Sequence, residues 1–240
     1  MSSIQAILDH QLRRWELERS LREARPASAP EGPPPHPVIT ISRQRGSGGS
    51  QIAEMLARRL DYTLLHRDVI DRICESSGMR RNIVEALDTR ARSQFAAWWE
   101  AIIAQRYADA SDYVRWLLET VYSVAELGGA VVVGRGANFI VGPERGLHAR
   151  IVAPREQRVA RLVDHARLSR REAVREIELR DHERAEFVRR VHGRDIADPA
   201  AYDLVLNTGA LTFAAAVGLL VAAARAKFAG AVPPAGAPVA

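Results

Sequence analysis

The chain has 240 residues, 47% hydrophobic and 26% charged, with a formal net charge of +5. That is enough for one α/β domain with a sizeable core and some appendages. No apolar run is long and charge-free enough to span a bilayer, and a single cysteine, Cys74, excludes an internal disulfide framework and a multi-cysteine metal site.

Residues 1–25 fit an amphipathic helix with Ile4, Leu8, Leu12 and Trp15 on one stripe. Charge in every turn distinguishes it from a signal peptide, so a cytoplasmic protein is expected. The proline-rich run over 26–37, "RPASAPEGPPPHP", reads as an extended linker. It makes the helix an arm that docks on the domain or on a partner subunit, which leaves a homodimer through this helix open.

The domain proper is expected over 38–228. "VITIS" is a short buried strand, and "GSQIAEMLARRLD" a helix with Ile52, Met55, Leu56 and Leu60 turned inward. "YTLLH" is a second strand and "DVIDRICESSG" opens another helix. A helical insertion is expected over 80–127, its Trp98, Trp99 and Trp116 read as packing. "GAVVVGRG" and "LHARIVAP" are the next strands, and an arginine-rich helical region over 155–195 follows. "YDLVLNTG" is the last strand, "LTFAAAVGLLVAAARAKF" a helix opened near Thr212, and the tail over 229–240 is expected to be disordered.

Apolar strands alternating with helices imply an α/β fold with a mostly parallel sheet covered on both faces. Ligands bind such sheets beyond the carboxyl ends of the strands. The stretches of interest are therefore Arg43 to Ser50, His66 to Asp68, Gly134 to Asn138, Ala153 to Arg158 and Asn207 to Gly209.

The turn "SRQRGSGGSQ" invites comparison with the phosphate-binding pattern G-x-x-x-x-G-K-[ST]. Gly48 matches the second glycine and Ser50 the hydroxyl, but Gly49 stands at the lysine and Arg43 at the first glycine. Gly46, Ser47, Gly48 and Gly49 would expose successive N–H groups beside a helix N-terminus, a cradle for an anion that needs no lysine. Lys227 is the only lysine, so any substitute charge must come from arginine, and Arg43 and Arg45 are the candidates. A dinucleotide-binding turn competes for the stretch, with Gly46 and Gly48 as its first glycines and Asp68 as a ribose-binding acid. Gln51 stands at its third glycine, however.

"VVVGRG" delivers Arg135 to the same edge of the sheet, suited to forked contact with a phosphate. In "REIELRDHERAEFVRRVHGRD", Glu176, Arg180 and Arg184 share one helix face, while Asp181 lies between. Such a run is a solvated face or, beside a phosphate loop, a cationic lid. A nucleic-acid surface is not expected, since its arginines alternate with glutamates.

The order of "ITISRQRGSGGSQIAEMLARRL", "VVVGRGANFIV", "HARIVAPREQRVARL", "RDHER" and "YDLVLNTGALTFAAAVGLL" resembles the cytidylate kinase-like family. The resemblance implies a three-layer P-loop NTPase or kinase-like domain. It also implies transfer of the γ-phosphoryl of ATP, with Mg²⁺, to CMP or dCMP. Gly46 to Ser50 would hold the donor phosphates, with Ser50 also at the metal and Arg43 or Arg45 standing in for the lysine. Arg135 would orient the acceptor, and Arg180, Asp181 and Arg184 would match the arginine-rich lid, with Arg180 and Arg184 acting in transfer. Asp68, at the end of the second strand, is by its position a candidate acceptor-side or metal-side acid. The sequence departs from cytidylate kinases at Gly49 and at Gly136, where those enzymes carry lysine and aspartate. A nucleotide-binding protein without turnover, acting as a sensor, is the alternative.

Overall fold

The computed structural model describes residues 9, 11–17, 20, 36–229 and 232. Five strands form one parallel sheet: β1 (Val38–Arg43), β2 (Thr63–Leu65), β3 (Ala130–Val133), β4 (Gly146–Val152) and β5 (Leu204–Asn207), in the order β2-β3-β1-β4-β5. β1 is central, with Ile41 opposite Val133 on one side and Ala149 on the other. Its residues from Val38 to Ile41 are buried, as expected of a strand covered on both faces. The order also disposes of the dinucleotide reading. In that fold β2 lies beside β1, whereas here β3 separates them.

One face of the sheet is covered by α1 (Gly49–Leu60) and, at the end of the chain, by α9 (Phe213–Lys227). Ile39, Ile41, Val131, Val133 and Ile151 pack there on Ile52, Leu56, Leu60, Val217 and Leu220. Ala53 and Ala57 complete the inner face of α1, and Met55 is exposed. Its expected inward position is thus corrected: two small alanines let the helix lie close to the strands, and this rotates Met55 outward.

The other face carries α2 (Arg67–Glu75), α3 (Ser77–Glu85), α4 (Thr89–Arg106), α5 (Asp112–Leu127) and the short α6 (Asn138–Val141). The expected 80–127 helix is thus divided. Ser76 caps α3 through the N–H of Met79, the Asp88 carboxylate takes the N–H of Ala91 in the first turn of α4, and residues 107–111 separate α4 from α5. Leu117, Leu118, Val121 and Val124 place α5 in the core with Val69, Ile70 and Ile73. Phe95, Trp98, Trp99 and Trp116 pack against the same cluster, and Trp98 stacks on Tyr122 with centroids 4.0 Å apart. Packing is therefore what the tryptophans do.

Residues 11–17 are helical and lie against this domain. Trp15 is 1% exposed and its indole N–H donates to the Gly128 carbonyl at 3.1 Å; Arg14 donates to the Asp61 carbonyl at 2.5 Å. Leu12 packs on the same core, while Ile4, Leu8 and the linker up to residue 35 lie outside the described residues, as does nearly all of the tail. Among the described residues no helix is long and apolar enough to cross a membrane.

Beyond β4 the chain forms a helical hairpin, α7 (Arg155–Ala166) and α8 (Arg170–His192). Arg167 takes the left-handed conformation that ends α7, and Ser169 opens α8 with a reciprocal capping box to Glu172. Val159, Leu162, Ala173 and Ile177 form a small core of their own between the two helices. At 23 residues α8 is about 34 Å long, enough to run from the hairpin tip back over the carboxyl edge of the sheet.

Candidate functional site

The loop between β1 and α1 is fastened from below by residues remote in sequence. The Ser47 hydroxyl donates to the Gln44 carbonyl, and the Thr208 hydroxyl, just past β5, donates to the Ser47 carbonyl at 2.7 Å. Arg161 grips Thr208 through its hydroxyl and carbonyl, at 2.9 and 2.7 Å. Gly46 (φ +79°) and Gly48 (φ +80°) take conformations closed to most side chains. A Cβ on Gly48 would overlap the Phe213 ring, and one on Gly46 would lie 2.7 Å from the Arg158 carbonyl. The first-turn donors of α1 have no intrahelical acceptor, and glycine at the N-cap supplies no side chain to cap them.

In front of this loop lies a cavity of about 720 Å³. The loop contributes Arg43, Arg45 and Ser50; the start of α2 gives His66, Arg67 and Asp68; the turn after β3 gives Gly134, Arg135 and Gly136; and α8 gives Glu176, Arg180, Glu183, Arg184, Phe187 and Arg190. Gly46, Ser47, Gly48 and Gly49 do not line it, so what the cavity meets from the loop is its two arginines and its serine. Seven arginines face four acids across the cavity walls, a cationic surround for a multiply charged anion.

Arg43 is the most constrained of these. Burial lowers its pKa to about 9, helped by the charges of Arg184, Arg67 and Arg45. Its Nε is buried without a hydrogen-bond partner. The Nε of Arg45 likewise lacks a hydrogen-bond partner but lies 3.3 Å from Glu176 Oε1 as an ion pair, while its backbone N–H donates to Asp181 at 2.7 Å.

Asp181 is the hub between α8 and the loop. Besides the Arg45 N–H it accepts from Arg158 at 2.5 Å and from Arg184 at 3.1 Å, and Arg184 also donates to the Arg43 carbonyl. Burial lowers the pKa of Arg184, with Arg45 and Arg67 adding to the effect against Asp181. Arg180 is more exposed and is held between Glu176 and Glu183 on its own helix. Asp68 pairs with its neighbour Arg67 at 3.2 Å, open to solvent.

Arg135 follows β3 in a left-handed conformation (φ +54°) between two glycines. Its guanidinium forks onto Asp71 of α2, the Nε bond being 2.8 Å, and Tyr113 donates to the same carboxylate at 2.7 Å. The Phe187 ring lies 4.8 Å from the guanidinium carbon. Burial opposes the Arg135 charge, but Asp71 outweighs it and holds its pKa above the ordinary arginine range. The carbonyl of Arg135 is met by His192 Nε2 at 3.0 Å, and Tyr107 meets Nδ1 at 3.0 Å. A carbonyl can only accept, so Nε2 carries the proton and Nδ1 accepts from the Tyr107 hydroxyl. Burial lowers the His192 pKa to about 4.

Residues 38–210 match the sequence model of the cytidylate kinase-like family. The chain belongs to that family. A cytidylate kinase of Pyrobaculum neutrophilum is 27% identical over 182 residues, covering 75% of this chain and 88% of the relative. A uronate isomerase of Corynebacterium glutamicum is 33% identical over 101 residues, 42% of this chain but 20% of that protein, too short a share to speak for its activity. Among solved structures, an uncharacterized protein from Eubacterium ventriosum superposes with a TM-score of 0.58 at 18% identity, over 77% of this chain and 96% of that one. That is a likeness of fold.

Of the residues anticipated from sequence, Arg43, Arg45, Ser50, Asp68, Arg135, Arg180 and Arg184 gather on one cavity and Asp181 joins them through Arg45 and Arg184, whereas Gly46, Ser47, Gly48 and Gly49, expected to cradle the anion, do not line it. Asp71, Tyr113, Arg158 and His192 escaped the reading. Asp71 and Arg158 left a trace: Asp71 is one helical turn after Asp68, and Arg158 follows a strand in a stretch already marked for inspection. Tyr113 and His192 left none, since each reaches its partner only through the packing of distant helices.

Proposed function

We propose that this protein transfers the γ-phosphoryl group of ATP to a nucleoside monophosphate, CMP or dCMP. The observation that carries this reading is the single cavity on which the β1–α1 loop, Arg135 and the arginines of α8 converge. A kinase must hold two anions end to end and neutralise charge on the group passing between them. The orphan N–H donors at the start of α1, with Arg43 or Arg45 in place of the lysine, hold the donor phosphates. Arg135 orients the acceptor phosphate from the other side, with Asp68 nearby. Arg180 and Arg184 reach the space between from α8 and balance the charge of the phosphoryl oxygens. An acceptor phosphate oxygen forms a bond to the γ-phosphorus as the bond to the β,γ-bridging oxygen breaks, leaving ADP. The acceptor oxygen is already anionic, so no general base is needed.

The chemistry of the donor set also suits magnesium. Among the described residues no cluster of three or more acidic, histidine or cysteine side chains could cage a metal, but magnesium with nucleotides is bound largely through phosphates and water. The exposed Ser50 hydroxyl and the Asp68 carboxylate are the groups that would hold it, and when bound it supplies positive charge at the phosphate oxygens.

A second reading, nucleotide binding without turnover, is favoured by one observation: Arg135, Arg180 and Arg184 are each paired with an acid of this chain. A coupled assay with ATP, Mg²⁺ and a panel of nucleoside monophosphates separates the two. ADP release with CMP or dCMP is the expected result. ATP binding by calorimetry with no acceptor phosphorylated would overturn the kinase reading and leave the sensor.

A further inference from the structure

The loop has glycine where phosphate-binding loops carry lysine, and arginine where they carry glycine. The structure joins these two departures in space. A Cβ on Gly49 would lie 2.5 Å from Arg43 Cβ and 3.0 Å from its Cγ, with Ile151 Cβ 3.3 Å away on the other side. The stem of Arg43 thus fills the place where a side chain at 49 would begin. Further along, a Cβ on Gly134 would lie 2.5 Å from Arg43 Nη1. The absence of side chains at Gly49 and Gly134 is what opens the path for Arg43 into the cavity that Ser50 also lines.

We propose that Arg43 is the cation that meets the outer phosphates of a nucleoside triphosphate, in exchange for a lysine at position 49. This rests on the cavity being a nucleotide site and decides between the two arginines of the loop. Arg45, Arg67, Arg180 and Arg184 each have a carboxylate within ion-pair distance. Among the described residues no such pair forms at Arg43; its Nε, like that of Arg45, is buried without a hydrogen-bond partner, so the absent ion pair is what separates the two. A half-buried cation at the cavity wall, crowded by three other arginines and with its pKa lowered to about 9, gains most from an entering anion. Position 43 also ends β1, the central strand, so its stem is fixed by the sheet rather than by the loop. A lysine reaches the outer phosphates from the start of the helix; Arg43 reaches the same cavity from the end of the strand.

The test is calorimetry with ATP and with AMP, alongside urea unfolding, on the wild type, Arg43→Met, Arg43→Lys, Arg45→Met, Gly49→Lys and the exchange Arg43→Gly with Gly49→Lys. Arg43→Met is expected to lose tenfold or more in ATP affinity and little in AMP affinity, Arg43→Lys to keep most of both, and Arg45→Met to lose less than threefold. Gly49→Lys alone lowers the urea midpoint, and the exchange recovers it together with ATP binding. Should Arg43→Met fail to fold, the exchange variant set against Gly49→Lys carries the test. ATP affinity unchanged in Arg43→Met, or an exchange variant no better than Gly49→Lys alone, overturns the assignment to Arg43. A wild type that binds no ATP overturns the nucleotide reading itself, and the two failures are thereby told apart.

Discussion

The carboxylate of Asp181, in the middle of α8, accepts the backbone N–H of Arg45 in the loop at 2.7 Å and the guanidinium of Arg158 at 2.5 Å. An acid of α8 thus sits on a donor of the loop. It occupies one backbone donor of the loop and ties two arginines, Arg158 and Arg184, to the same point.

Asp181→Ala removes the only acid paired with Arg158 among the described residues, and Arg158 is buried. The expected loss is about 2 kcal/mol, below that of a fully buried pair because the Asp181 side chain keeps 28% exposure. The urea midpoint reads it, and hydrogen exchange should show α8 opening more often. A variant as stable as the wild type would mean the pair contributes nothing.

Arg135→Ala should raise KM for the acceptor by roughly tenfold to a hundredfold, the range for losing a forked bond to an anion. ATP affinity should change by less than about threefold, because the loop groups proposed for the donor lie elsewhere on the cavity. Asp71→Asn, which removes the carboxylate of the fork, should alter acceptor KM and again spare ATP binding. Equal losses for donor and acceptor would refute the assigned role.

His192 makes stability depend on pH. Its folded pKa, about 4, lies below the ordinary histidine value of 6.5, so below pH 6.5 the unfolded chain binds a proton that the native chain does not. Stability is therefore complete above pH 6.5 and falls as pH drops toward 4, by about 3 kcal/mol for this residue. Urea midpoints at pH 7 and pH 4 for the wild type and His192→Gln measure it. Wild-type stability that falls no further than that of His192→Gln between pH 7 and pH 4 would exclude His192 as the source.

Gly136→Asp places in this turn the residue that cytidylate kinases carry there. At Gly136 (φ +66°) a Cβ would overlap the His192 ring, so the single variant should lose roughly 2 kcal/mol or more through strain and overpacking. Pairing it with His192→Ala should return part of that loss, as the ring no longer stands in the way. Two losses that simply add would show that backbone strain alone is responsible.

The family and the fold were legible in the chain because they rest on local pattern. β-branched runs mark the strands, glycines the turns after them, and helical spacing the layers that cover the sheet. The loop glycines, Arg135 and the Arg180–Arg184 run could be found for the same reason, since each lies in a short motif at the end of an element. The two departures, Gly49 and Gly136, could be seen in the sequence but not understood from it. Each glycine faces a bulky side chain from elsewhere in the fold, Arg43 from the end of β1 and His192 from the end of α8. Whether a side chain fits at such a position is a matter of volume shared between segments far apart in the chain. Only the tertiary structure, by bringing those segments together, decided it.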